Sequence, residues 1–221
     1  MDPIEYHLKE LEIAFNKNDE RKSLPIILDS DKIILDIGCG IGQSFIALDC
    51  SDKICIGIDV DEDVIRYGIE NYGSKIQFIL SDAKRIPLPS NTVDLVYSRV
   101  SLPYTNIPKV IKEIRRVLRQ DGRVWMTLHS KDMAIKYIKE AISSRNIKRF
   151  VYVTYVILNG YFLKYFGIVF PFINGRYESW QNTSAIKKLL ILSSFEVNVH
   201  EVGSHTVIEG RLIQGKRKKS A

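Results

Sequence analysis

Gly38, Gly40 and Gly42 fall within five residues, directly behind the apolar run KIILDI of residues 32–37. Glycine permits a tight turn and removes side chains, so a flat or extended ligand can approach the backbone there. Cys39, between two of the glycines, reads as a small filler rather than a nucleophile. The dinucleotide pattern G-x-G-x-x-G is not met: Gln43 stands where the third glycine belongs, and Gly42 comes one residue early. No lysine follows that would make a triphosphate-binding loop. Asp59, nineteen residues past Gly40, closes a second apolar run, ICIGID, with Val60 behind it. A carboxylate at such a strand end accepts hydrogen bonds from a ribose diol. Ser81, Asp82 and Ala83 close a third run. Asp82 suits the exocyclic amine of an adenine, and Ile58, Ala83 and Ile86 can cover the ring faces. Asp36 adds negative charge beside the first turn. The expected ligand contains a ribose and need not contain a pyrophosphate.

For these residues to converge, the apolar runs must be parallel strands whose carboxyl ends share one edge. The pattern agrees. Strands are expected from Lys32, Ile54, Ile76 and Val93, and at GRVWMTLHS from Gly122. Helices are expected from Gly42 to Cys50, from Asp61, and from Ile107, where Val110, Ile111, Ile114, Val117 and Leu118 form one stripe that Gly122 ends. The strands are continuously apolar, as strands covered on both faces are. A helix from Ser184 and two strands from Phe195 and Thr206 complete the pattern. The few residues between those strands admit no crossover, so they are expected to pair as an antiparallel hairpin. The fold class is α/β: an open, mostly parallel seven-stranded sheet with helices on both faces.

The 221 residues carry a net charge of +6, and four cations cluster in KRKK, Lys216 to Lys219. Residues 1–221 read as a single domain, with a helical lead-in at 1–31, an insertion at 131–180 and a basic tail at 216–221. A basic tail can touch nucleic acid or anionic membrane weakly; a solvated end is the plainer reading. Three cysteines without pairing spacing exclude a disulfide framework or zinc site and predict a reducing, cytoplasmic setting. The charged start MDPIEYHLKELE does not read as a signal peptide. The insertion contains FVYVTYVILNGYFLKYFGIVFPFI, Phe150 to Ile173, long enough to span a membrane but broken by Asn159, Gly160, Lys164 and Gly167. It is expected to form two short helices, or a helical hairpin, over the sheet edge.

ILDIGCGIGQS, GIDVDEDVI, LSDAKRIPLPSNTVDLVYS and IKEIRRVLRQDGRVWM together resemble the successive motifs of the class I S-adenosylmethionine-dependent methyltransferases, over roughly residues 30–130. The likeness is greatest to the small-molecule type. It implies a Rossmann-like sheet, S-adenosylmethionine as cofactor and a reversed last strand. It further implies that Asp36, Gly38 and Gly40 cradle the amino-acid part of the cofactor, with Cys39 and Gly42 in the same turn. Asp59 and Val60 would meet the ribose, Ser81, Asp82 and Ala83 the adenine, and Ser98 and Arg99 the methyl-donor site. RQDG at Arg119–Gly122 departs from the family's P-G-G turn.

Methyl transfer demands alignment more than a battery of close groups. A base is needed only where the acceptor loses a proton during transfer. His129, at the end of the fifth strand, is the best candidate base; Tyr104 and Arg99 are candidates to touch the acceptor. SRVSLPYT stands where a nucleobase-amine enzyme carries N/D-P-P-Y/F, which disfavours that acceptor. The aromatic insertion favours a small apolar or aromatic acceptor. The alternatives are an RNA or protein acceptor, or a non-catalytic cofactor-binding subunit.

Overall fold

The computed structural model describes residues 2–50, 52–128, 136–137, 139–140, 142–143, 146–173, 175–203 and 205–213. Asp2 caps the first helix, α1 (Pro3–Phe15), by accepting from the Glu5 amide, and Pro3 occupies its first position. The chain then alternates: β1 (Ile33–Ile37), α2 (Gln43–Leu48), β2 (Ile54–Asp59), α3 (Glu62–Tyr72), β3 (Ile76–Leu80), β4 (Val93–Ser98), α4 (Ile107–Val117) and β5 (Leu118–Leu128). The long helix α5 (Ile147–Phe166) and α6 (Thr183–Leu192) follow, then β6 (Phe195–Val202) and β7 (His205–Leu212). The strand order is β3-β2-β1-β4-β5-β7-β6. The pairings among β1 to β5 are parallel, and β7 runs antiparallel to both neighbours. The sheet is therefore mostly parallel with a reversed terminal hairpin, as the sequence predicts.

Side chains alternate across each strand, so β1 feeds two cores. Leu35 and Ile37 join the layer under α4 and α6, where Val110, Ile111, Ile114, Ile186 and Leu190 are buried. Ile34 turns to the other face, with Phe45, Tyr97 and Trp125.

Two local readings change. The α4 stripe ends at Val117, not at Gly122: Leu118 is extended and buried, and it pairs with Val93. The register with β4 then shifts within β5, and the left-handed residue there is Asp121 (φ 64°), a side chain that tolerates that region. Phe150–Phe166 is one continuous helix rather than two short ones. Asn159 does not break it. Buried within it, Asn159 donates to the carbonyls of Phe170 (3.0 Å) and Glu178 (2.8 Å) and accepts from the Phe170 amide (2.8 Å). Gly160 lets the chain at Trp180 lie against the helix, since a Cβ there would stand 2.5 Å from the Trp180 carbonyl. Residues 168–173 and 175–182 thus form a strap clasped to α5. Among the described residues, no helix is long and apolar enough to cross a membrane. The basic tail lies outside the described residues.

Candidate active site

The turn after β1 is held open by its glycines. Gly38 and Gly40 have φ of 73° and 56°, the left-handed region glycine enters without strain. The Gly38 and Cys39 amides donate to the Ile58 carbonyl (2.8 and 3.1 Å), locking the turn to the end of β2. The Gly40 amide donates to Asp59 Oδ2 (2.9 Å), while Asp59 Oδ1 accepts from the amides of Val60 (2.7 Å) and Asp61 (3.1 Å). A carboxylate has about four acceptor sites, so three are used and one is left. Ser101 packs on Gly38 and donates to the Ile37 carbonyl (2.6 Å), and its oxygen lies 2.6 Å from Ser98 Oγ. Its single proton being committed, Ser98 is the donor between the two hydroxyls.

These strand ends border a cavity of about 650 Å³. Gly38, Asp59, Val60, Ser81, Asp82, Ala83, Arg99 and Tyr104 are among the residues that line it. Asp82 caps the turn at Ala83–Arg85 by accepting from the Lys84 amide, and it pairs with the Lys84 ammonium (2.9 Å). A smaller hollow of about 240 Å³ lies against Phe45, Tyr72 and Ile76, near the amino ends of β2 and β3, and shares no lining residue with the larger cavity.

Five of the anticipated residues lie elsewhere. The Cys39 thiol is fully buried against Gly57, because the turn rotates it beneath the loop. Gly42 packs against Ile76 and Phe78, where a side chain would clash. Ser98 points below the floor to Ser101. Gly40 is roofed by His7, whose Nδ1 stands 2.3 Å from where a Cβ would be. Asp36 faces the α2 side of the sheet beside Tyr97, its partner in strand register. His129 lies outside the described residues.

Asp36 is 1% exposed, and its Oδ1 has no hydrogen-bond partner among the described residues. Burial pushes its carboxyl up to about 8, with Tyr97 opposing. The folded chain thus holds a proton that the unfolded chain, near 3.8, gives up. Stability therefore falls as pH rises from about 4 to about 8. Asp36→Asn is expected to flatten that slope and to stabilise the fold at pH 8 by a few kcal/mol, at about 1.4 per unit of pKa. Thermal melts across the range check it.

The rest of the cavity wall comes from residues that the motifs do not mark. From α1, His7 sits over the glycine turn with Nδ1 3.2 Å from Gln43 Nε2, and burial lowers its pKa. A neutral ring suits that contact, with the amide as donor. Glu10 accepts from Arg99 (2.8 Å), and the Arg99 side chain is only 6% exposed. So Arg99 ties the N-terminal helix over the cavity. Val100 beside it has φ of 63°, a strained value for a β-branched residue. From α5 and its strap come Tyr152, Tyr177 and Glu178. Tyr152 donates to the Glu178 carboxylate, whose pKa burial raises. Lys84 stands 5.2 Å over the Tyr177 ring. The aromatic load of the insertion and the half-buried pattern of α1 are the sequence signals for this wall. Neither specifies which side chain turns inward.

Residues 35–126 match the family described as "Methyltransferase domain". The chain is 29% identical over 105 residues to the uncharacterized methyltransferase YcgJ of Bacillus subtilis, covering 43% of this chain and 40% of that protein. It is 33% identical over 97 residues to the sterol 4-C-methyltransferase strm-1 of Caenorhabditis elegans, covering 40% and 28%. The chain thus spans less than half the length of these curated relatives. Among solved structures, an S-adenosylmethionine-dependent methyltransferase of Thermotoga maritima, described as a possible histamine N-methyltransferase, superposes with a TM-score of 0.64 at 16% identity, covering 94% of this chain and 95% of that one. That likeness speaks to the fold; the motif match and the strand-end acids speak to the family. Residues 35–126, a little under half of the chain, are thus similar to a methyltransferase domain.

Proposed function

We propose that the chain is an S-adenosylmethionine-dependent methyltransferase acting by direct in-line transfer on a small apolar or aromatic acceptor. One observation carries this reading. A single cavity joins the strand-end acids Asp59 and Asp82 to a wall of tyrosines, Tyr6, Tyr104, Tyr152 and Tyr177. The first end fits the cofactor. The remaining acceptor site of Asp59 suits a ribose hydroxyl, and Gly38 brings backbone to the cavity wall. Ile58, Val60 and Ala83 offer apolar contact to an adenine, and Asp82 an acceptor for its amine. The buried Ile86 belongs to the core instead.

When bound, the cofactor supplies an electrophilic methyl group on a sulfonium. The chain's own part is to hold, orient and exclude water. Asp59 fixes the ribose end against the turn that it also ties down. The tyrosine wall takes the acceptor, where each Å² of apolar surface buried contributes roughly 25 cal/mol. Glu178, raised by burial and bonded to Tyr152, is the group in that wall able to take a proton from an acceptor that must lose one. The three cysteines are buried, and a cytoplasmic setting belongs to the same proposed reading.

A methyl-transfer assay with labelled cofactor and cell extract, split into small-molecule, RNA and protein fractions, tests the acceptor class. Label is expected in the small-molecule fraction. Label concentrated in RNA or protein would replace this reading by the corresponding macromolecular one.

A further inference from the structure

The long helix α5 carries apolar side chains around its whole circumference beyond its first turn, yet only one side is covered. Val153, Asn159, Gly160 and Leu163 are buried against the protein. The outer side leaves Leu158 53%, Tyr165 64% and Phe166 69% exposed, with Phe150, Val151 and Phe162 beside them. The strap continues the surface with Ile168, Phe170 and Ile173. Twenty helical residues extend about 30 Å. A helix apolar all round is ordinarily covered all round, and an exposed patch of this size marks an interaction surface.

Charge identifies the occupant. From Ala141 to Leu192 the chain carries seven Lys and Arg but a single acid, Glu178. That acid is held inward by Tyr152. Lys148 and Arg149 stand exposed at the start of α5, Arg149 paired with Glu140. Lys187 and Lys188 are exposed on α6, which packs against α5. Lys164 lies 5.1 Å over the Tyr165 ring, its stem among the aromatics. Two copies meeting on this face would bring like charges together. Anionic headgroups would neutralise them while the acyl boundary covers the rings.

We propose that α5 and its strap dock on an anionic lipid surface, the helix lying along the interface. The same elements supply Tyr152, Tyr177 and Glu178 to the cavity wall, so the docked face adjoins the tyrosine end of the cavity. The proposal stands apart from the methyl-transfer reading.

Co-sedimentation of the full chain with vesicles tests it. The chain is expected to bind phosphatidylglycerol–phosphatidylcholine vesicles and to bind pure phosphatidylcholine much less. Leu158→Glu/Phe166→Glu, at exposed positions, should keep the melting temperature and lose binding at least roughly tenfold. Lys148→Glu/Arg149→Glu should weaken binding to the anionic vesicles alone. Absence of wild-type binding, equal binding to both vesicle types, or binding undiminished in the Leu158→Glu/Phe166→Glu variant would overturn the proposal. So would a lipid-free dimer that Phe166→Glu dissociates, which would assign the face to a second copy of the chain.

Discussion

Asp59→Ala is expected to weaken S-adenosylmethionine binding by about tenfold to a hundredfold, the 1.5–3 kcal/mol carried by a hydrogen bond to a charged group. Two losses combine in that variant. The ribose hydroxyls lose an ionised acceptor. The amides of Gly40, Val60 and Asp61 also lose their shared partner, which loosens the turn proposed to hold the cofactor. Asp59→Asn separates them. Its carbonyl oxygen can still accept from Val60 and Asp61, while its amide would confront the Gly40 N–H donor to donor. The asparagine variant should therefore keep more of the turn's stability than the alanine variant and still bind more weakly than wild type. Isothermal calorimetry on variants that melt cooperatively reads both effects. Unchanged affinity in a folded Asp59→Ala chain would remove Asp59 from the cofactor site.

Gly38→Ala is expected to cost about 2 kcal/mol or more of stability and to abolish cofactor binding, whereas Gly40→Ala is expected to cost less. Both positions have positive φ, which costs a side chain roughly 1–2 kcal/mol. What the new methyl meets differs. At Gly38 it would lie 2.2 Å from Ser101 Cβ, and Ser101 is pinned to the Ile37 carbonyl. Relief there means moving backbone at the cavity floor, an overpacking cost of roughly 1–3 kcal/mol more. At Gly40 it would meet the His7 ring, a side chain on α1 that can swing aside at the expense of its contact with Gln43. Denaturant melts order the two variants. Equal stability would mean that Ser101 gives way as easily as His7.

The sheet was legible because each parallel strand is a mostly apolar run, and the candidate acids Asp59 and Asp82 follow such runs. Asp59 and Asp82 stand at strand ends, where position along the chain nearly determines position in space. Asp36, Cys39 and Gly42 were harder. Their sequence neighbours are cavity residues, but a strand's alternation or a turn's rotation sends each the other way. The roof over the turn could not be read locally. His7 and Glu10 reach the cavity only because α1 docks over the strand ends, and nothing in HLKELE distinguishes the residues that face inward. Asn159 and Gly160 look like helix breakers in the sequence. In the structure they are where the strap binds, one by hydrogen bonds and one by having no side chain. Gly122 is the converse: it looks like a stop, but Leu118 has already left the helix to enter the sheet.

The wild-type arm of the calorimetric titration bears most directly on the central claim. The full chain, titrated in parallel with S-adenosylmethionine and with NAD, is predicted to bind the first with one-to-one stoichiometry and to show no comparable binding of the second. Comparable NAD binding, or no binding of S-adenosylmethionine to the folded chain, would contradict it.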